Sequence, residues 1–469
     1  MLKSKEFILD QITPIKIYSK LKKQFGGEIS LLFESAESGE YSFILIGAKE
    51  QLEYKNNQTV FTSEDGKREE IDENPIEFLK NYYSKIDKNY YKEKNQEFEV
   101  GFIDGFIGYI GYDAIDIFEP RMKPYIAKLV NEIDIPDIHL IRPKMIVAYS
   151  HKKSTVTLIS SEISMVKKFD EVEKHLKSSS GYLELKKTIS KNSGKLRYSK
   201  EKFFKMIKES KKMIRSGDVF QILISNRFTQ DFKEIDPFSF YRVLRSKNPS
   251  PYMFYMDYND FQIIGSSPEV MVKLTDGEIL LRPIAGTRKR GKNLKRDKEL
   301  ENEMLNDPKE KAEHLMLIDL GRNDVGRVAK KGTVRVPNMF RVERYSHVMH
   351  MVSDIYGELD KKFDMFDLLK ATFTAGTMTG APKIRAMELI SEYEGVKRNF
   401  YSGAIGYFGF DGNMDSTITI RTALIKDKRI FLQSGAGIVA DSKEELEYLE
   451  VKNKMNALLS TIKDLENLN

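Results

Sequence analysis

The chain has 469 residues, 41% hydrophobic and 31% charged, and its 76 basic and 70 acidic residues leave a net charge of +6. That length allows one large domain with insertions or two to three smaller ones, and the apolar content excludes a disordered or fibrous protein. So small a basic excess gives no reason to expect nucleic acid, and the absence of cysteine excludes disulfides, thiolate metal sites and cysteine nucleophiles.

From the start, Met1-Leu-Lys-Ser-Lys-Glu carries charge where a signal peptide needs an apolar run, and the longest apolar runs fall far short of a membrane span. A soluble, cytoplasmic protein without membrane contact is expected. Short strand-like runs at 41–47 and 101–109 dominate residues 1–150. Residues 151–197 are polar, with Ser178-Ser-Ser-Gly and Lys191-Asn-Ser-Gly-Lys around a charged helical stretch at 162–176, and read as a linker. Beyond it, Phe203, Ile207 and Ile214 recur at helical spacing up to Gly217, a C-terminal cap. A buried strand follows at 218–228, a long helix at 308–330 and a strand at 332–336. Three more strands, at 403–410, 416–425 and 428–433, precede a charged amphipathic helix at 443–463. Strands and helices in both halves indicate an α+β architecture.

Two glycine-rich segments invite a nucleotide reading, and both fail it. Ser434-Gly-Ala-Gly-Ile-Val-Ala-Asp resembles a dinucleotide fingerprint, but no second strand with an acidic residue follows. Gly435 and Gly437 nevertheless let backbone N–H groups approach a carboxylate. Gly376-Thr-Met-Thr-Gly-Ala-Pro-Lys lacks the Gly-Lys-Ser/Thr ending of a phosphate loop, although its entry into a helix suits an anion. Glu447, Glu450 and Lys454 share one helical face. They read either as an exposed i,i+4 ion pair or as two carboxylates that hold Mg²⁺ with a third, for which Glu313 is a candidate. His350 and Glu269, each taken alone, read equally as structural residues.

Taken together and in order, these segments resemble the chorismate-utilising enzymes, and within them the large subunits of anthranilate synthases. The matching pieces are Asn248-Pro-Ser-Pro-Tyr-Met, Ser266-Ser-Pro-Glu, Arg282-Pro-Ile-Ala-Gly-Thr-Arg-Lys-Arg-Gly, Glu313-His-Leu-Met-Leu-Ile-Asp-Leu-Gly-Arg-Asn-Asp and Tyr345-Ser-His-Val-Met-His. Thr374-Ala-Gly-Thr-Met-Thr-Gly-Ala-Pro-Lys, Gly403-Ala-Ile-Gly-Tyr-Phe-Gly-Phe-Asp-Gly and Gly435-Ala-Gly-Ile-Val-Ala-Asp with Glu447-x-x-Glu450 complete the series.

The resemblance implies a two-sheet β sandwich flanked by helices, with a chorismate-binding catalytic domain at 198–465 and a tryptophan regulatory pocket within 1–150. It implies that Glu313 and Glu450 ligate Mg²⁺ with Glu447 nearby, that Glu269 is the general acid, and that His350 gives acid–base help, with Lys383 as a further positive charge. Thr287, Thr377, Tyr407, Arg421, Gly435, Ala436 and Gly437 match substrate contacts. Glu34, Ser35, Pro251, Tyr252 and Met253 match the pocket for L-tryptophan as feedback inhibitor. Ammonia would come from a separate glutamine amidotransferase subunit, since this chain has no cysteine. Isochorismate and salicylate synthases carry a lysine, thought to activate water, at the position of Gln221. Aminodeoxychorismate synthases usually carry their attacking lysine at the position of Ala285. Anthranilate is therefore the expected product. The rivals are an aminodeoxychorismate synthase lacking that lysine and a non-catalytic chorismate- or tryptophan-binding regulator.

Overall fold

The computed structural model of the chain describes residues 1–35, 39–344 and 348–468, and all side chains in them except that of Thr287. Its organising element is a long antiparallel pair, Tyr41–Lys55 with Ile138–Ser150, in register from Tyr41↔Ser150 to Tyr54↔Ile138 with a bulge between Ala48 and Glu50. Two sheets diverge from this pair. The first runs from one end of it through Ser30–Glu34, Tyr252–Asp257, Phe261–Ser267, Thr422–Lys426 and Arg429–Ile438 to Gln221–Glu234. The second leaves from the other end through Gly105–Ile110, Ala404–Gly409, Met414–Ile418, Val270–Thr275 and Glu278–Leu281 to Ile355–Glu358.

Strict alternation of side chains explains the layering. In the first sheet Leu31, Phe254, Met256, Ile263 and Leu424 point to a core shared with Phe106, Ile405, Met414 and Val272 of the second sheet. Their neighbours Leu32, Tyr255, Ile264 and Ala423 point the other way, onto a helical layer. Both faces are apolar, so these strands are buried on both sides and fixed in register. The helical layer includes Pro14–Gln24, Lys200–Arg215, Pro237–Lys247, Lys383–Glu394 and Glu444–Glu466, whose apolar stripes join that second core. Three of their N-termini are closed as composition dictates: Thr13, Ser199 and Asp236 accept backbone N–H bonds as caps, whereas Pro382 and Lys443 before the other two have no side-chain cap. The sandwich flanked by helices is thus the architecture the chain builds.

The sequence reading departs most from the structure in four places, beyond shifts of a few residues at the ends of other elements. Residues 151–197 contain the strand Thr155–Ser160, paired with Lys3–Ile8 and with Ile138–Ser150, and the helices Ile163–Val166 and Phe169–Lys177. Both sheets moreover draw strands from either side of that stretch. The strand expected at 332–336 reduces to one bridge, Arg335↔Tyr356. The strand expected at 218–228 begins at Gln221 and runs to Glu234, because residues 216–220 turn out of the preceding helix, with Gly217 at φ +84°. The strand expected at 416–425 is two strands, broken around Arg421 at φ +52°. Among the described residues no helix is long and apolar enough to cross a membrane.

A small separate sheet of Ile284–Lys289, Arg341–Arg344 and Val348–Val352 sits on its own cluster of Met304, Met349 and Met351. It closes one side of the cavity described next.

Candidate active site

A cavity of about 770 Å³ opens between the sheet end formed by Gln221 and Gly437, the helix Pro308–Gly326, the small sheet and the C-terminal helix Glu444–Glu466. That is ample for a small dicarboxylate. Nine of the expected site residues line it: Glu269, Glu313, His350, Thr377, Arg421, Gly435, Gly437, Glu447 and Glu450.

Glu269 follows the strand Phe261–Ser267 and is 8% exposed. Its backbone is clamped, because its carbonyl accepts from Thr417 Oγ1 at 2.7 Å and from the Ile418 N–H at 3.0 Å. Its carboxyl has one hydrogen-bond donor, Thr377 Oγ1, at 2.9 Å. Burial pushes the carboxyl up to about 7, against the smaller lowering effects of that bond and of Lys454. It is a carboxylic acid that keeps its proton well above the usual carboxylate range and is about half protonated at neutrality.

Arg421 lies at the break between two strands. The strand Thr422–Lys426 pairs with Arg429–Ile438 only up to Ala423↔Leu432, so residues 433–438 have no strand on that edge. Neither Gly435 nor Gly437 is required there by φ, but Gly435 is required for space. A Cβ on Gly435 would stand 2.6 Å from Leu223 Cδ2 and 2.9 Å from the Ile224 carbonyl, whereas one on Gly437 would meet only the movable end of Gln221, at 2.5 Å from Nε2. The Arg421 guanidinium is half-buried, donates to the Lys454 carbonyl, and has no ion-pair partner among the described residues. Desolvation holds it below its ordinary value, with Tyr401 and Glu450 acting in the other direction. A half-buried cation beside an open strand edge is a receptor for a carboxylate.

Four further carboxylates face the cavity. Glu310 and Glu313 stand on the helix Pro308–Gly326, and Glu447 and Glu450 on Glu444–Glu466. Burial, then Glu310 and Glu450, push the Glu313 carboxyl up, and burial with Glu450 raises Glu447. Lys454 Nζ stands 2.7 Å from Glu450 and donates to the Gly435 carbonyl at 3.0 Å. The mutual repulsion of these acids, with an anionic ligand still to enter, suits a divalent cation. Among the described residues no three acids or histidines converge tightly enough to hold an ion alone. Mg²⁺ does not need them to, because it binds through one or two carboxylates together with water and substrate oxygens.

His350 is in register with Thr287 in the small sheet, and its Nδ1 meets the Gly286 carbonyl at 3.3 Å. That contact requires the proton on Nδ1 and leaves Nε2 as the acceptor, an assignment made from the bond. Burial keeps the imidazole below its ordinary value. The side chain of Thr287, like residues 345–347 of the matching motif, lies outside the described residues.

Three expected contacts are corrected. Lys383 is not in the cavity, because its ammonium is drawn to Asp324 at 2.7 Å, 59 residues upstream. Ala436 alternates away from its glycine neighbours into the helical layer. Tyr407 stands elsewhere, its ring 4.7 Å from Phe102, while Tyr401, in the turn before the strand Ala404–Gly409, lines the cavity. Gln221 is also in the lining, with its Oε1 buried and unpartnered.

The residues expected to hold an effector divide between the two faces of adjacent strands. Glu34 and Met253 are register partners. The Glu34 carboxylate is taken up by Tyr241 OH at 2.6 Å and Arg245 Nε at 2.8 Å, and Met253 is buried in the helical layer. Tyr252 points to the other face, where its OH donates to Asp415 at 2.7 Å. Asp415 is the register partner of Tyr407.

Fold and site together define an enzyme that takes a small dianion at an acid-bearing sheet end, and the chain belongs to the chorismate binding enzyme family, whose model matches residues 28–460. Its relatives include anthranilate synthase component 1 of Aquifex aeolicus, 42% identical over 98% of this chain and 94% of that protein. The component of the same name in Acetivibrio thermocellus is 40% identical, with the same coverage of each chain. The crystal structure of anthranilate synthase component I from Streptococcus pneumoniae superposes with a TM-score of 0.77 at 33% identity, over 97% of this chain and 99% of that one.

Proposed function

We propose that this chain is the chorismate-converting component of an anthranilate synthase, joining ammonia to chorismate with release of water and pyruvate. The observation that carries the reading is a single cavity lined both by a buried Glu269 that still holds its proton in part at neutrality and by the half-buried Arg421 beside an open strand edge. Arg421 and the backbone of Gly435 and Gly437 receive a substrate carboxylate. Ammonia bonds to C2, the ring electrons shift, and the C4–O bond breaks. Glu269 gives its proton to that hydroxyl, which leaves as water. The nitrogen added at C2 gives up its extra proton. The C2 hydrogen is then lost as a proton, the C3–O bond breaks, and the departing enolpyruvyl group takes a proton on its methylene carbon to leave as pyruvate. This gives the aromatic ring, a step in which neutral His350 is assigned acid–base help. The unpartnered Oε1 of Gln221 accepts an N–H of the incoming ammonia, and a neutral amide has no base with which to activate water in its stead.

Glu313 and Glu450 would hold Mg²⁺, with Glu447 through water, and the ion would supply positive charge to a substrate carboxylate. A separate glutamine amidotransferase subunit would supply the ammonia, and the setting is the cytoplasm. The cavity wall at Ala285 has no amine, so an aminodeoxychorismate product formed through a lysine adduct is disfavoured.

The test is the fluorescence of anthranilate formed by the purified chain from chorismate, Mg²⁺ and excess ammonium salt. The signal is expected to grow without any partner and to vanish in EDTA. Chorismate consumed without anthranilate would overturn the product assignment, and undiminished activity in EDTA the metal.

We further propose that L-tryptophan binds where Glu34 and Ser35 meet Pro251, Tyr252 and Met253, with Asp415 held beside Tyr252. Saturating tryptophan is expected to suppress anthranilate formation, and Asp415→Asn to relieve that suppression. Unchanged rates in saturating tryptophan would remove the assignment.

A further inference from the structure

Behind the cavity wall, Arg398 and Glu394 form an ion pair whose two side chains are each 1% exposed. The pair is bidentate, with Arg398 Nε donating to Glu394 Oε2 at 2.9 Å and an η nitrogen to Oε1 at 2.7 Å. Desolvating two charges costs about as much as their attraction returns, so an interior that needed only packing would be served as well by apolar side chains. The remaining bonds of the pair show what it does instead. Arg398 also donates to the Met378 carbonyl at 2.9 Å and to the Leu223 carbonyl at 3.0 Å. Its guanidinium lies 5.7 Å from the Tyr401 ring. Glu394 Oε1 accepts from both the backbone N–H and the hydroxyl of Ser225, each at 2.8 Å. Met378, Leu223 and Tyr401 all line the cavity, while neither Arg398 nor Glu394 does. Met378 directly follows Thr377, whose hydroxyl holds the Glu269 carboxyl.

We propose that Arg398, braced by Glu394, is a positioning residue: by fixing the Met378 and Leu223 carbonyls it sets where Thr377 holds Glu269 against the substrate. This rests on the reading of Glu269 as the acid in chorismate conversion. Of the receptors for the substrate carboxylate, Arg421 and the Gly435 carbonyl are fixed independently by the C-terminal helix through Lys454, while Gly437 is the strand partner of Leu223. The effect of Arg398 is therefore expected to fall more on the chemical step, through Met378 and Thr377, than on substrate binding.

The experiment measures kcat and KM for chorismate, with ammonium salt and Mg²⁺, in Arg398→Lys, Thr377→Val and the double variant, alongside the thermal midpoint of each. Arg398→Lys keeps the charge but has no fork to span two carbonyls and a carboxylate. It is expected to lower kcat about 100-fold, as a displaced catalytic group does, with KM within about threefold of the parent. Thr377→Val is expected to lower kcat about tenfold, and the double variant to fall no further than Arg398→Lys alone, because the two residues act in series. Multiplying effects, a KM that rises as far as kcat falls, or a kcat within about threefold of the parent would each overturn the proposal. If Arg398→Lys does not fold, Glu394→Gln carries the same test, since it keeps the shape of the pair while loosening it. Absence of anthranilate with the unaltered chain would instead overturn the proposed function and leave the positioning argument without its reaction.

Discussion

Replacing Glu269 by glutamine is expected to lower kcat by about 10²- to 10⁴-fold, the range a general acid contributes, while leaving chorismate binding nearly intact. Glutamine fills the same space and its amide oxygen still accepts the Thr377 hydroxyl bond at 2.9 Å, but it has no proton to give to a departing hydroxyl. The same carboxyl sets the pH dependence. It is raised to about 7 by burial, so kcat/KM of the unaltered enzyme is expected to decline as pH rises through about 7, and that limb should be missing from the residual activity of Glu269→Gln. Stability runs in the opposite sense. An acid whose folded pKa lies above its unfolded value binds more protons folded than unfolded between the two, so stability falls as pH rises from about 4.5 to about 7. The ionised carboxyl costs the fold on the order of 3 kcal/mol above that window, and the glutamine variant does not bear it. A higher unfolding midpoint at pH 8.5 together with lost activity is the expected result. A variant that loses activity by losing stability would contradict the role.

Much of this site was legible because its residues announce themselves locally. Glu447 and Glu450 share a helical face, Gly435 and Gly437 alternate along one strand, and Glu269 ends a strand in Ser-Ser-Pro-Glu. What remained illegible depends on partners distant in the chain. Tyr401 and Tyr407 are six residues apart in one aromatic, glycine-rich stretch, and only the pairing of Ala404–Gly409 with Met414–Ile418 sends Tyr407 to Asp415 and leaves Tyr401 in the turn by the cavity. Lys383 opens a helix behind a loop shaped for an anion, but the buried Asp324 claims it first. The polar run after residue 150 has a linker's composition, yet Thr155–Ser160 is a strand because both neighbouring edges offer it hydrogen bonds. The break at Arg421 was hidden for a related reason. Residues 414–418 and 422–426 both have strand-like composition, and the interruption is imposed by two different sheets: Met414–Ile418 pairs into the second and Thr422–Lys426 into the first. The chain crosses between sheets at residues 419–421, and the cavity is at that crossing.

That crossing underlies the second large effect. Arg421→Met is expected to raise KM for chorismate by about 100-fold or more, the loss of a buried, charge-assisted contact to an anion. The residue occupies a left-handed conformation at φ +52° and its carbonyl accepts the Ser266 N–H at 3.2 Å. These backbone features hold the guanidinium in place without needing its charge. The guanidinium has the Lys454 carbonyl, Tyr401 and the more distant Glu450 to offset the desolvation that disfavours its charged form. Methionine of similar length removes a half-buried cation with no ion-pair partner among the described residues and is expected to leave the unfolding midpoint unchanged or raised. A structural arginine would behave oppositely, since its loss would leave carboxylate partners stranded and lower the midpoint. The distinguishing measurement pairs chorismate titration with thermal unfolding of the same preparation. A weakened midpoint with unaltered KM would mean that Arg421 braces the sheet crossing, and the cavity would then have to receive its carboxylate through Lys454 and the exposed edge at residues 433–438 alone.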